Sequence, residues 1–106
     1  MVHYIALYKL NGIAKNEEVI EEMIRLSRAC LHRINEAHNF RSGRSIRDEN
    51  EFSFFISADF ESLDKLQMFQ KDPQYLRFES EVVRENTHEC RELLYETEPG
   101  KDPKYS

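Results

Sequence analysis

The sequence predicts an α+β domain of order strand, helix, strand, strand, helix, strand, in which helices cover one face of a four-stranded antiparallel sheet. Three stretches carry this expectation. VHYIALYKL, near the start, is apolar on both alternating faces; apolar residues recur at three-and-four spacing from Val19 to Ile34; and FSFFISADF, Phe52 to Phe60, presents one wholly apolar face.

In His3–Leu10, Tyr4, Ala6, Tyr8 and Leu10 share one side and His3, Ile5, Leu7 and Lys9 the other, as in a strand covered on both faces. Asn11-Gly12 breaks it, and Asn16 followed by Glu17 and Glu18 suits a helix N-terminus. Val19, Ile20, Met23, Ile24, Ser27, Cys30, Leu31 and Ile34 then form the buried stripe of a helix of about five turns. Phe40–Ile46, FRSGRSI, reads as the second strand, with Gly43 marking a bulge or kink, and RDENE as the turn after it. Phe52, Phe54, Ile56, Ala58 and Phe60 form the apolar face of the third strand, opposite Ser53, Phe55, Ser57 and Asp59.

Ser62 caps the next helix, whose inward residues are Leu63, Leu66 and Phe69. Pro73 interrupts it, because proline lacks an N–H and biases Asp72 away from helical angles. A second segment from Gln74 to about Glu85 presents Tyr75, Phe78 and Val82, and Thr87–Thr97 is the last strand. Residues 1–97 therefore form one domain, and Glu98–Ser106, polar with two prolines, reads as a tail. This order is the split-βαβ or ferredoxin-like arrangement.

The chain has 106 residues, with 15 Lys plus Arg against 20 Asp plus Glu, for a formal net charge of −5. That balance disfavours nucleic acid and anionic membranes, which require a positive footprint. No stretch approaches a membrane span and the first apolar run is too short for a signal peptide, so the expected location is cytoplasmic. Cys30 and Cys90 are read as reduced thiols, with a disulfide as the alternative. His3, His32, His38 and His88 lack metal-ligand spacing, and neither a metal nor a cofactor is expected.

Helices on one face leave the other open, with Phe55 and either Ile5 and Leu7 or their Tyr-bearing neighbours upon it. A free aromatic face can stack single-stranded RNA, but here it offers Ser53, Ser57 and Asp59 in an acidic domain. Pressing two such faces together makes a closed barrel that removes apolar surface and sheet edges at once. The small serines let two sheets approach.

VHYIALYKL, FRSGRS and FESLDKLQMFQKDPQYLRF resemble the stress-responsive A/B-barrel (Dabb, dimeric α/β-barrel) family. Its pattern has a first strand ending in Phe/Leu-Lys-Leu/Phe, a Gly-Arg/Lys step in the second strand, and a strand-Phe-Glu leading into a helix that ends in His-Pro-x-His. The resemblance spans about residues 2–97. It implies a ferredoxin-like protomer whose homodimer shares a barrel, with Tyr4, Ala6 and Tyr8 under the helices and Ile5, Leu7 and Phe55 at the dimer interface. The family includes a plant polyketide cyclase forming olivetolic acid, whose Tyr and His pair matches Phe69 and Tyr75 here. Asp72 replaces the first His of His-Pro-x-His, and Tyr4 stands where many members have a His. Phenylalanine transfers no proton, and a tyrosine of ordinary pKa, about 10, is a poor base at neutral pH, so cyclase chemistry does not carry over.

Two readings of the aromatic cluster stay open: a filled core, or a pocket. Tyr4, Tyr8, Phe54, Phe69, Tyr75 and Phe78 are its candidate lining, and several tyrosines in one core require a partner for each hydroxyl. The expected function is a small homodimer that binds a small aromatic or acyl ligand between helix and sheet. The alternative is a cofactor-independent enzyme, cyclase- or monooxygenase-like, acting on a polyketide-like or aromatic substrate.

Overall fold

The computed structural model describes residues 1–12, 16–47 and 49–97. The expected tail at 98–106 and Asp48 of the expected turn lie outside them. The elements are β1 (Val2–Leu10), α1 (Glu17–Leu31), β2 (His38–Arg44), β3 (Phe54–Phe60), α2 (Leu63–Lys71), α3 (Pro73–Phe78) and β4 (Thr87–Glu96). All strand pairs are antiparallel, in the order β2-β3-β1-β4, so the fold is the expected ferredoxin-like one.

The core lies between the sheet and the helices. Tyr4, Ala6 and Tyr8 of β1 pair across to Ala58, Ile56 and Phe54 of β3, and all six are buried. Ile20, Met23 and Leu31 of α1, Leu66 and Phe69 of α2, and Tyr75 and Phe78 of α3 close over them. Burying each large apolar side chain contributes about 1.5–3 kcal/mol. Asn16 and Ser62 start their helices as expected, their side chains accepting from the backbone N–H groups of Val19 and Lys65, and Asp72 does the same for α3 by accepting from the Gln74 N–H, a cap not expected from the sequence. Pro73 occupies the first turn of α3, where its missing N–H costs nothing.

Several details differ from the expectation. Helix α1 stops at Leu31, a turn early, and Ile34 is buried from the following turn. The second strand runs His38–Arg44 rather than 40–46, and its register shift lies between His38 and Arg41, where Asn39 adopts φ 54°, rather than at Gly43. Gly43 is needed for a different reason: a Cβ there would stand 3.0 Å from the Phe55 ring, which lies across it. The third strand begins at Phe54, and the chain before it turns over. Phe52 therefore leaves the helix-covered face and lies with Lys9 and Arg91, while Ser53 is buried. Leu63, in the first turn of α2, is 55% exposed rather than inward.

After α3 the chain continues through a π-helical turn, Glu79–Val83, and a last helical turn, Arg84–Asn86. The wider turn shifts the helical phase, so Val83 is buried together with the expected Val82.

Candidate functional site

Tyr4 and Tyr8 project from β1 toward the helices and are 1% exposed; Tyr75 reaches down from α3 and is 6% exposed. Their rings join two aromatic rows. Tyr4, Phe60, Phe69 and Tyr75 form one, with successive centroids 6.2, 5.0 and 5.0 Å apart, and Tyr8, Phe54 and Phe78 form the other, at 5.6 and 6.5 Å. Such offset and edge contacts add to simple burial. All six residues named from the sequence thus lie in one cluster.

The hydroxyls end at β4. The register sets Ala6 opposite Glu92 and Tyr8 opposite Cys90. Tyr4 Oη donates to Glu92 Oε2 at 2.6 Å, and Gln70 Nε2 of α2 donates to the same oxygen at 3.3 Å. Tyr75 interacts with the Tyr4 hydroxyl, and Tyr8 with the Cys90 thiol.

Burial raises all three tyrosines well above the ordinary phenol value; neighbouring phenols add to it for Tyr4 and Tyr8, and for Tyr75 the charge of Glu79 adds to it while the hydrogen bond with Tyr4 works against it. At neutral pH they are hydrogen-bonding groups and not bases. Desolvation, with Glu92 beside it, pushes the Cys90 thiol up to about 11, which keeps it protonated and weakly nucleophilic. Burial and the charge of Glu92 raise Glu79 above the usual carboxylate range. The chemistry available is therefore a set of neutral O–H groups facing carboxylate acceptors.

Glu79, Cys90, Glu92 and Gln70 did not emerge from the sequence. Cys90, Glu92 and Leu94 share one parity of THECRELLYE, but only the pairing of β4 with β1 shows which parity faces the tyrosines.

On the other face Ile5, Leu7 and Phe55 are half-buried. Around them, His3 Nδ1 lies 2.6 Å from Asp59 Oδ1, and Asn39 Nδ2 donates to Asp59 Oδ2 at 3.0 Å. Burial alone would raise Asp59, but these hydrogen bonds hold it below the usual value. Lys9 Nζ and the Arg91 guanidinium each stand 5.3 Å from the centre of the Phe52 ring. Lys9 also pairs with Glu51 at 2.8 Å and Glu89 at 3.2 Å.

Cys30 is half-buried and Cys90 exposed, and both are free thiols. Among the described residues no three His, Cys, Asp or Glu side chains group as metal ligands, and no helix is long and apolar enough to cross a membrane. A groove of about 550 Å³ beside the start of α2 is lined in part by Val2, Leu63, Leu94 and Tyr95.

A ferredoxin-like sheet with an aromatic floor under its helices defines a class of small α+β domains. The family model of the stress responsive A/B barrel domain (Dabb) matches residues 2–93, and the chain belongs to that family. Among solved structures, a Dabb family protein with a ferredoxin-like fold from Mesorhizobium loti superimposes with TM-score 0.78 at 14% identity, covering 92% of this chain and 96% of that one. A dimeric ferredoxin-like protein of unknown function from Thermobifida fusca gives TM-score 0.78 at 17% identity, covering 91% and 90%. A putative antibiotic biosynthesis monooxygenase from Nitrosomonas europaea gives 0.73 at 13%, covering 92% and 98%. These likenesses show the fold. A search of curated proteins finds no match.

Proposed function

We propose that two copies of this chain press their open sheet faces together into one barrel, and that each protomer takes a small aromatic or acyl ligand at the tyrosine cluster beneath its helices. The observation that carries the binding half is the convergence of Tyr4, Tyr8 and Tyr75 on Glu92, Cys90 and Glu79, polar tips at the end of apolar rings. Phe54, Phe69 and Phe78 supply the apolar contact, and the hydroxyls orient the guest. The dimer half is supported by Ile5, Leu7 and Phe55, whose apolar surface one protomer leaves half-covered, and by the dimeric Thermobifida fusca protein.

Light scattering should return twice the 12.7 kDa chain mass at micromolar concentration, and a monomer would sink the dimer half. A thermal-shift screen of small aromatic and acyl compounds should find a stabilising ligand whose binding Tyr75→Phe weakens by about 0.5–1.5 kcal/mol. No stabilising compound, together with a lower melting temperature for Tyr75→Phe, would assign these rings to the core alone.

One contact favours a second reading, a cofactor-independent enzyme acting on a polyketide-like or aromatic substrate. The Glu92 carboxylate, 2.6 Å from Tyr4 Oη, is a base placed where hydroxyls could orient a substrate. The monooxygenase name of the Nitrosomonas europaea relative agrees with it. Turnover that Glu92→Gln abolishes, with ligand binding retained, would select this reading.

A further inference from the structure

Away from the tyrosine cluster, an open groove of about 470 Å³ runs over the outer edge of β2, lined by Arg28, His32, Phe40, Arg41, Ser42 and Phe55. A close approach of α1 to β2 builds it. Ser27 and Ser42 meet with their hydroxyl oxygens 2.7 Å apart, and at that spacing Arg28 Nη2 donates to the Ser42 carbonyl at 3.3 Å. One turn on, the His32 ring stands 6.5 Å from that of Phe40. β2 is an edge strand, so Arg41 enters the same groove from the sheet's other face, where the Phe55 ring lies across Gly43.

Two guanidiniums and an imidazole therefore meet in a groove that no carboxylate lines, in a chain whose acidic residues outnumber its basic ones by 20 to 15. Arg25, Arg44, Arg47 and Arg77 are each paired with a glutamate, whereas among the described residues Arg28 and Arg41 form no ion pair. Positive charge near the C-terminal end of α1 complements the helix dipole, which accounts for Arg28. It does not account for Arg41, which belongs to a strand.

We propose that this groove binds a small aromatic anion, a ring bearing a carboxylate or a phosphate, with the anion between Arg28 and Arg41 and the ring against Phe40. Guanidinium forks match both anions with paired, charge-assisted hydrogen bonds. The flanking ring excludes water from those bonds and selects a ligand with an apolar body.

The test is a titration of the full isotopically labelled chain with benzoate, phenyl phosphate, benzyl alcohol and inorganic phosphate, followed by backbone amide shifts. At least one aromatic anion should saturate, moving the Arg28, His32 and Arg41 amides, and which one does so separates a carboxylate from a phosphate ligand. Benzyl alcohol and inorganic phosphate should bind about tenfold more weakly or less. Arg28→Gln and Arg41→Gln should each weaken the anion by about tenfold, while Arg47→Gln changes nothing. Light scattering on the same samples separates a lost guanidinium from a lost assembly. Saturation by neither aromatic anion overturns the proposal. So does benzyl alcohol or inorganic phosphate binding as tightly as the aromatic anion, or Arg47→Gln weakening it as much as Arg41→Gln, which would mark diffuse attraction.

Discussion

Tyr4 and Glu92 meet across neighbouring strands, phenol to carboxylate at 2.6 Å, on the face of the sheet that the helices cover. The bond joins an almost fully buried ring to an exposed strand. Removing the hydroxyl by Tyr4→Phe should lower stability by about 0.5–1.5 kcal/mol, the net worth of one hydrogen bond, read as a fall in melting temperature. Glu92→Gln keeps an acceptor and should cost less; an equal or larger loss would mean that charge, rather than the hydrogen bond, holds Tyr4.

The raised tyrosines make stability fall in alkali. Their folded pKa values lie above the unfolded value of about 10, so the folded state holds protons that the unfolded chain has released. Their contribution is complete below pH about 10 and is lost as pH climbs beyond it. Cys90, raised from the model-compound value of 9.0 to about 11, acts in the same direction from about pH 9. Melting temperature should hold steady from neutrality and then drop steeply above pH about 10, less so in Tyr75→Phe. A flat profile to pH 11 would contradict the burial of these hydroxyls.

Leu7→Asp and Phe55→Asp probe the open face. If a second copy covers it, either carboxylate is buried without a partner at a cost of several kcal/mol, on the order of the whole stability of a small domain. Light scattering should show monomer or unfolded chain. Retention of a full dimer by both variants would move the interface elsewhere.

Gly43→Ala reads the same face through its sign. The added Cβ would stand 3.0 Å from the Phe55 ring. A ring free to swing aside would let alanine stabilise the strand by about 0.5–1 kcal/mol relative to glycine, whereas a ring held by a partner must strain. The expected outcome is a lower melting temperature in the dimer.

Ser27→Ala should destabilise by about 1–3 kcal/mol, since it strands the buried Ser42 hydroxyl. The pair Ser27→Ala with Ser42→Ala should cost less than the two single changes added together. Strict additivity would show that the hydroxyls do not depend on each other.

Much of this architecture was legible in local signals. The alternation in β3 gave the correct buried face, while that of β1 left both sides open until the family resemblance put Tyr4, Ala6 and Tyr8 under the helices; Asn16 and Ser62 sit at helix starts for the reasons their side chains suggest. What escaped depends on geometry that period counting cannot carry. Phe52 shares the parity of Phe54, but the strand has not begun, so the chain is free to turn it over. Val83 is buried because a π turn changes the helical phase, and the β2 register shift falls at Asn39, which carries no glycine signal. The aromatic half of the candidate site was visible in β1, β3, α2 and α3. Its carboxylates and thiol were not, because they come from a charged strand whose inward parity only the tertiary pairing decides.

That pairing also sets an order of events for a growing chain. β1 lies between β3 and β4, with Val2 beside Glu96, so the strand made first waits for the strand made last. Until β4 leaves the ribosome, one edge of β1 has no hydrogen-bond partner and Tyr4 has no carboxylate. Closing so long a loop places the folding rate among the slower, non-local topologies, and it leaves an apolar strand edge open to wrong partners during synthesis.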